Sequence, residues 1–433
     1  MPDEPAPRPS RRKVLLAGAA GLTAGGLGLL FYKLLARRRS YPPGLVRDGS
    51  GLVRVKPGFE VTVIDRAGDA MSDGFRVPAL PDGMACFPGR APTELVLMRN
   101  HELSRNQSAQ SAYPNREAPS QAYDRESFGG VTRVVLDAAS LTVERTELAL
   151  TGTSRNCAGG ATPWGWLTCE EDPDAPHGYV FLCDHLGAGL AAPRRLEALG
   201  RYRHEAAALE LASNAVYLTE DQPDGCLYRF VSKTPLDGRS FEGRLEALAI
   251  TGKRGFDTSS LRVGESLAVE WVELDDVTPS ADDLRKRARE RGAAIVKRGE
   301  GIFSTTAHDA KASPSIVFAA TAGGARGRGQ VFHLDPQSGS LEVAFEAAGD
   351  ELLDMPDNVA IGPRGEIYIA EDGEPPNGVR VLTPEGRIET LAVAEEAGEI
   401  AGVTLSPAGD VLFFNLQQRG VTVALRGPFA DLA

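Results

Sequence analysis

The residues after position 50 form short runs of alternating or continuous apolar side chains, separated by glycine, proline, aspartate and asparagine. A period of two places successive side chains on opposite faces of a strand, and the intervening residue types are those that turns require. The pattern therefore predicts an all-β chain of many short strands. The clearest runs are 59–64, 94–98, 131–136, 178–183, 215–219, 226–231, 315–319, 330–334, 366–370 and 410–415.

The stretch 279–296 departs from this pattern. Ser280 can cap a helix, and two aspartates precede the basic run 285–287 on a charged, amphipathic segment. We predict a small surface helix inserted between strands. Because acidic residues flank the basic run, it does not indicate a binding patch.

Two segments of the chain resemble each other. Residues 358–369 and 402–413 each contain a strand, a Pro-x-Gly turn and a second strand, and they begin 44 residues apart. The blades of β-propellers repeat at about 40 to 50 residues. The predicted fold is therefore one six-bladed β-propeller domain over residues 41–433, with a small helical insertion.

The charge of the chain is distributed unevenly. The 433 residues carry a formal net charge of −12, yet residues 1–40 hold eight Lys and Arg against two Asp and Glu. The remainder holds 39 basic and 57 acidic residues, a net charge of −18. This acidity argues against a nucleic-acid partner, and it is compatible with bound cations, which would partly neutralise a carboxylate cluster.

The amino terminus has the pattern of an export signal. Arg11 and Arg12 precede an uncharged run rich in Gly, Ala and Leu over residues 14–32. This pattern predicts a twin-arginine (Tat) signal within residues 1–40, with the Tat translocation machinery as a partner and a periplasmic or extracellular location. The run is also about long enough to span a bilayer, so either cleavage or membrane anchoring through residues 14–32 is compatible with the sequence.

Several predicted strands run directly into carboxylates. In a propeller, equivalent strand ends of different blades meet at one end of the central channel, so these motifs are expected to converge. Clustered carboxylates repel one another unless a cation binds among them, and their hard oxygen ligands suit Ca²⁺ and Fe³⁺. A solvated turn is the alternative for any single motif. The motifs are Glu170-Glu171-Asp172, Glu220-Asp221, Glu371-Asp372 and the weaker Asn100-His101-Glu102.

Cysteine and histidine usage narrows the kind of metal site. Cys157 lies in a glycine-rich loop ahead of the first acidic cluster, and a thiolate ligand favours a transition metal over Ca²⁺ alone. The chain has five cysteines without a CxxC motif and six histidines without HxH or HExxH spacing. Neither a disulfide framework nor a histidine-based zinc site is therefore predicted.

The segment 157–171, CAGGATPWGWLTCEE, resembles the signature of the Tat-exported PhoX-type alkaline phosphatases. Matches to this family follow in the same order over nearly the whole chain after residue 50. They are 100–102, 204–206, 218–221, 227–230, 356–358, 371–373 and 405–417.

The resemblance implies a six-bladed propeller that holds iron (Fe³⁺) and calcium and hydrolyses phosphate monoesters. Cys157 matches the family's iron-ligating cysteine, and Glu205, Glu220 and Glu371 match carboxylates that bind iron or calcium. The motifs and the resemblance together make the candidate metal ligands Cys157, Glu102, Glu170, Glu171, Glu205, Glu220, Asp221, Glu300, Asp357, Asn358, Glu371 and Asp372.

Two residues are predicted to contact the substrate. Asn100 matches a residue of the family that contacts the substrate phosphate. The segment Arg298-Gly299-Glu300 stands where the family has Arg-Pro-Glu, which implies that Arg298 is a phosphate clamp and Glu300 a metal ligand. Two other functions remain open at this point: a calcium-dependent lactonase-like propeller and a propeller that binds metal without turnover.

Overall fold

The computed structural model describes residues 40–114, 116–305, 314–347, 352–396 and 398–432. Tyr41–Ala433 form one compact unit. The predicted signal over residues 1–40 lies, apart from Ser40, outside the described residues. Within the described ranges, no helix has the length and apolar character needed to cross a membrane.

The described chain is built from short strands, which confirms the all-β prediction. The strands are β1 (Val46–Arg47), β2 (Val53–Val55), β3 (Glu60–Arg66), β4 (Pro81–Pro88), β5 (Glu94–His101), β6 (Gly129–Asp137), β7 (Val143–Thr153), β8 (Asn156–Thr162), β9 (Gly165–Glu170), β10 (Val180–Cys183), β11 (His204–Glu210), β12 (Ala215–Glu220), β13 (Tyr228–Ser232), β14 (Gly243–Ile250), β15 (Ser266–Leu274), β16 (Gly299–Ser304), β17 (Ile316–Ala320), β18 (Gln330–Asp335), β19 (Ser340–Glu346), β20 (Pro356–Ile361), β21 (Ile367–Glu371), β22 (Gly378–Leu382), β23 (Ile388–Ala394), β24 (Ile400–Leu405), β25 (Val411–Leu416) and β26 (Val421–Arg426).

The strands form antiparallel sheets in a propeller-like arrangement. Within the described residues the sheet orders are β4-β5-β6-β7, β10-β9-β8, β24-β25-β26-β3, β1-β2-β23-β22-β21-β20 and a nine-stranded sheet, β11-β12-β13-β14-β15-β19-β18-β17-β16. Strands β4, β8, β11, β16, β20 and β24 contact one another in this order, and β24 contacts β4 to close the ring. The ring surrounds a central channel.

Apolar side chains pack between neighbouring sheets and hold the ring together. Tyr368 and Phe414 belong to one buried cluster, which joins the sheet of β20–β23 to the sheet of β24–β26. Tyr217 and Phe318 belong to another, which lies between the two halves of the nine-stranded sheet. Each aromatic ring is 0% exposed, so its full apolar area contributes to the stability of the ring.

A buried ion pair lies where the amino-terminal part of the domain meets its carboxy-terminal sheet. Strand β3 pairs with β26, so the beginning of the domain completes its last sheet. Arg99 on β5 is 0% exposed, and its Nη2 donates to Asp65 Oδ2 on β3 at 2.9 Å. This buried ion pair therefore connects the last sheet to the sheet of β4–β7.

The predicted helical insertion is present but shorter than 279–296. The helix, α1 (Leu284–Glu290), has Asp283 rather than Ser280 at its N-cap. Gly292 follows it with φ of 111°, and two residues later the Ala294 N–H donates to Leu248 O at 2.7 Å. The backbone after Gly292 therefore bonds to a strand instead of continuing the helix.

Candidate metal centre

The first strands of the ring share a backbone irregularity at the same end of the channel. In all six a β-bulge places two residues opposite one residue of the second strand. A bulge re-aims the side chain that it carries. In five of the six strands the first residue of the bulge has a carboxylate or a thiol: Asp82, Cys157, Glu205, Glu300 and Asp357.

The sixth strand of the ring has a glycine at this position. Gly402 has φ of 64°, and a Cβ atom there would lie 2.2 Å from the carbonyl oxygen of Asp82. Asp82 also accepts, through Oδ2, a hydrogen bond of 2.7 Å from Gln417 Nε2. The close approach of β24 to β4 thus excludes any side chain at the sixth position.

The bulge residues and one neighbour form two compact groups. Asp82, Glu102 and Cys157 have potential ligand atoms within 4.8 Å of one another, and so do Glu205, Glu300 and Asp357. These are the sets that the structure brings together from the predicted ligands, with Asp82 added. Both groups lie at the same end of the channel.

Burial and mutual repulsion destabilise the charged forms of these residues. Burial raises the pKa of Glu205 well above its usual value, and the charges of Glu300 and Asp357 raise it further. Burial, then the charges of Glu102 and Glu205, likewise raise the pKa of the Cys157 thiol. Cations bound among these groups would reverse the direction of both effects.

Glu205 provides the most direct test of whether a cation fits. Its side chain is 4% exposed, and within the described residues it makes no hydrogen bond or ion pair. A buried carboxylate without a partner is strongly unfavourable, whereas hard cations take carboxylate oxygens as ligands. The donor set therefore fits a metal centre.

Asn100 and Trp166 hold the backbone at Cys157. The Asn100 amide donates to the carbonyl oxygens of Cys157 at 3.0 Å and of Ala158 at 2.8 Å, and its Oδ1 accepts from Trp166 Nε1 at 2.7 Å. Both amide hydrogens of Asn100 are thus used within the protein, and the residue is 0% exposed. In this geometry Asn100 positions the bulge that carries Cys157, and its contact with substrate remains a prediction.

The acidic motifs at the second-strand ends divide into two roles. The first acid of each pair, Glu170, Glu220 or Glu371, is 0% exposed and lies outside both compact groups. Glu170 accepts from Gly178 N at 2.9 Å, Glu220 from Cys226 N at 3.2 Å and Glu371 from Gly378 N at 2.9 Å. Each therefore fixes the turn into the third strand, and metal binding by these three remains a prediction.

The second acid of each pair lies towards the centre. Glu171 Oε2 lies 3.6 Å from Cys157 Sγ, and burial raises the pKa of Glu171 to about 7. Burial, then the charge of Asp221, raises the pKa of Glu300. Burial, then the charges of Glu399 and Asp372, raises the pKa of Asp357. These contacts follow from the period of two, because adjacent residues point to opposite sides of a strand.

Arg298 lies beside one of the compact groups. Its Nη2 is 2.7 Å from Glu300 Oε1, and its Nε is 2.8 Å from Asp221 Oδ1. The backbone of Arg298 has φ of 52°, in the left-handed region that is unfavourable for residues with a side chain. Arg155 has the same conformation, with φ of 50°, two residues before Cys157.

Sequence reasoning missed several residues at this end of the channel. Asp82 follows Pro81 and precedes Gly83, a pattern typical of a turn, and Glu399 follows Gly398. Burial, then the charges of Asp82 and Asp372, raise the pKa of Glu399 well above its usual value. Arg155 and Arg203 were also missed. Asp82, Arg155 and Arg203 are recognised by their positions relative to the first-strand bulges. Those bulges are visible only when the register of the paired strands is known.

The last predicted ligand, Asn358, occupies the second residue of its bulge. It lines the channel next to the centre, in a cavity that Trp166 and Thr404 also line. Metal binding by Asn358 remains a prediction.

The fold and the site together define a propeller-like all-β protein with an acidic, cysteine-containing candidate metal centre at one end of its channel. The chain matches the model of the family described as alkaline phosphatase PhoX over residues 40–149 and 137–420. It belongs to the PhoX family of alkaline phosphatases, and it is a metal-dependent phosphatase that hydrolyses phosphate monoesters.

Solved structures support the fold. The structure of Pseudomonas fluorescens PhoX in complex with vanadate, a transition-state analogue, has a TM-score of 0.69 and 17% identity, covering 90% of this chain and 98% of that one. A streptogramin B lyase (TM-score 0.42, 11% identity, 86% and 98% covered) and a gluconolactonase from Xanthomonas campestris (0.39, 13%, 90% and 100%) are too distant to support an argument. No curated protein matched the chain in sequence.

Proposed function

We propose that the ring of first strands forms a six-bladed propeller whose metal centre holds Fe³⁺ and Ca²⁺. The ring of β4, β8, β11, β16, β20 and β24 supports this count, because each is followed by the antiparallel strands of its own unit. In this proposal β15 joins two units into the nine-stranded sheet. The observation that carries the proposal is the bulge position shared by five ligand residues.

The donor sets suggest how the metals divide. The group of Asp82, Glu102 and Cys157 contains the thiol, which favours a transition metal, so we assign iron to it. The group of Glu205, Glu300 and Asp357 is made only of carboxylates and suits Ca²⁺ or a second Fe³⁺. When bound, the cations would polarise the phosphoryl oxygens and offset their charge.

The protein's own contribution to catalysis is orientation and fixed positive charge. Asp221 and Glu300 hold two edges of the Arg298 guanidinium, and within the described part of the chain its Nη1 has no hydrogen-bond partner. Nη1 is thus available to a phosphoryl oxygen of a small phosphate ester. Charge that develops on the equatorial oxygens is stabilised most where the donors are already oriented.

Arg298→Lys should lower kcat/KM for a monoester by about tenfold to a thousandfold, since ~1.4 to 4 kcal/mol of transition-state contact is lost. Lysine keeps a positive charge but loses the planar fork that two carboxylates and a phosphoryl oxygen can share. Steady-state kinetics with p-nitrophenyl phosphate measures the effect. Metal content should not change, because arginine ligates no metal. Unchanged kcat/KM would move the clamp to Arg326 or Arg328.

One pair of measurements separates this function from its alternatives. Iron in the purified protein, together with Ca²⁺-dependent hydrolysis of a monoester, supports the proposal. Calcium alone with lactone hydrolysis would indicate a lactonase, and bound metal without turnover of either substrate would indicate a binding protein. Metal analysis should use the natively exported protein, since the compartment of folding decides which metals are inserted.

We also propose export by the Tat route to the periplasm or cell exterior, with residues 14–32 as a possible anchor. Replacing Arg11 and Arg12 with lysine should block translocation, because a receptor reads the arginine pair while the fold lies elsewhere. Immunoblots of cell fractions report the outcome. Lysine substitutions at Arg37 and Arg38 are the matched control. Normal export of the Arg11/Arg12 variant would contradict the proposal.

A further inference from the structure

Three neighbouring first strands place an arginine at the same position, two residues before the ligand at the bulge. Arg155 precedes Cys157, Arg203 precedes Glu205, and Arg298 precedes Glu300. Strand β11, which follows Arg203, contacts both β8 and β16. The three guanidinium groups therefore belong to one end of the channel, with Arg203 on the middle strand.

The three arginines differ in how fully the protein satisfies them. Arg155 Nη2 lies 3.1 Å from Glu102 Oε1, and Arg298 Nε lies 2.8 Å from Asp221 Oδ1. Among the described residues Arg203 has only long contacts: Nη1 is 3.4 Å from the Glu171 carbonyl oxygen and 4.0 Å from Glu171 Oε1. Its Nε is buried without a hydrogen-bond partner, 3.6 Å from Asp282 Oδ2.

The buried Nε does not by itself single out Arg203, because the Nε atoms of Arg54, Arg133 and Arg380 are also buried without a hydrogen-bond partner. The position of Arg203 beside the acidic cluster is what distinguishes it. Arginine offers five N–H donors in a fixed fork, and phosphate oxygens are among their best acceptors. The Arg203 side chain is 28% exposed, so a ligand in the channel mouth can reach it. Nε itself is buried, but Nη2 is not, and Nη2 has no hydrogen-bond partner among the described residues, so Nη2 is the donor that an acceptor from outside the protein would reach.

Arg203 is also close to the candidate metal centre. Its Nη1 approaches the carboxylate of Glu171, and the other oxygen of that carboxylate lies 3.6 Å from Cys157 Sγ. On the adjacent strand, Arg298 Nη2 lies 2.7 Å from Glu300 Oε1. Arg203 and Arg298 thus approach the same acidic cluster from adjacent strands.

We propose that Arg203 is a second phosphate-binding residue, which binds a phosphoryl oxygen of the substrate and of the phosphate product. The inference rests on the proposed function of this site. Arg298 shares its other donors with two carboxylates and has Nη1 left for the substrate. A phosphate dianion therefore has further oxygens that a second guanidinium can bind. Because Arg203 lacks a competing short ion pair, it contributes to binding in the ground state as well as in the transition state.

The test compares Arg203→Met with Arg244→Met. Methionine removes the charge and the donors of Arg203 while keeping an extended side chain. Arg244 lies on the peripheral strand β14, where Glu246 retains a second partner, Arg229, so this control has the same change in net charge away from the channel. Calorimetry of the metal-loaded proteins with inorganic phosphate measures affinity, and p-nitrophenyl phosphate hydrolysis separates KM from kcat.

Arg203→Met should weaken phosphate binding and raise KM by about tenfold or more, with kcat within about twofold, because uniform binding is lost. Arg203→Lys should recover part of the affinity, and metal content should match the parent. Unchanged phosphate affinity in Arg203→Met, or an equal loss in Arg244→Met, would overturn the inference. A role limited to tethering Asp282 would lower the melting temperature without changing phosphate affinity.

The outcomes also separate the inference from the proposed function. If the parent binds phosphate through Arg203 but hydrolyses no monoester, the function fails and the inference stands. If the parent hydrolyses monoesters and Arg203→Met does so with the same KM, the inference fails and the function stands. A parent that does not bind phosphate rejects the inference. Should Arg203→Met not fold, Arg203→Lys decides, since a several-fold loss of phosphate affinity is expected from the lost fork.

Discussion

Glu205→Gln should lower kcat/KM by about a thousandfold or more. The substitution removes a metal ligand, and loss of the metal removes several kcal/mol of transition-state stabilisation. Glu205 has no partner among the described residues and lies within 4.8 Å of the ligand atoms of Glu300 and Asp357. An amide keeps the size of the side chain but loses its charge. The amount of metal bound per protein should therefore decrease in the same preparation that loses activity.

Glu205→Gln should also change stability in opposite directions with and without metal. In the metal-free protein the amide relieves the repulsion from Glu300 and Asp357, so the melting temperature should rise above that of the metal-free parent. With metal, the parent gains more from binding than the variant and should melt higher. Melting curves before and after chelation measure both.

Glu210→Gln is the matched control for this variant. Glu210 lies at the other end of the same strand, is 0% exposed and accepts hydrogen bonds from Ala212 N and Ser213 N. Its replacement should leave metal content and kcat/KM unchanged. If Glu205→Gln retains full metal and full activity, the carboxylate group is not a metal site and the donor-set argument fails.

Cys157→Ala should remove iron and phosphatase activity together. The thiol is the one soft donor in its group, and neither Asp82 nor Glu102 can replace it in kind. Loss of the iron should again cost about a thousandfold or more in kcat/KM, for the same reason of lost Lewis-acid stabilisation. Elemental analysis and monoester kinetics on the same preparation measure the two losses, and circular dichroism should show an unchanged β signal.

Cys183→Ala is the control for Cys157→Ala. Cys183 is a buried free cysteine on β10, outside both compact groups, so its removal tests the loss of a packed sulfur alone. It should reduce stability slightly and leave iron and turnover unchanged. Full iron content and turnover in Cys157→Ala would show that Cys157 is only a packed residue.

Much of the fold could be predicted because its signal is local. The alternation of apolar residues in 366–370 and 410–415 and the Pro-x-Gly turns before them are visible in any short window, and both runs form strands β21 and β25. The bounds of α1 were harder, since hydrogen bonding of Ala294 to a distant strand ends the helical segment.

The candidate site could be predicted only in part, for a geometric reason. A run such as Glu220-Asp221 shows that carboxylates end a strand, but adjacent residues face opposite sides of it. Which one points to the channel depends on how the sheet is oriented, and Glu220 instead accepts a hydrogen bond from Cys226 N. Asn100 is similar: the sequence places it at a strand end, while its bonds to the Cys157 and Ala158 carbonyls depend on the neighbouring sheet.

The sequence by itself determined the all-β class, the family and the residue types that compose the site, because these follow from local periodicity and from motifs such as Cys157 to Glu171. Only the tertiary structure decided which of those residues meet. The bulges that aim Asp82, Glu205 and Asp357 into the channel are defects of register between paired strands. A register exists only once distant segments pair, so no single stretch of the chain encodes it visibly.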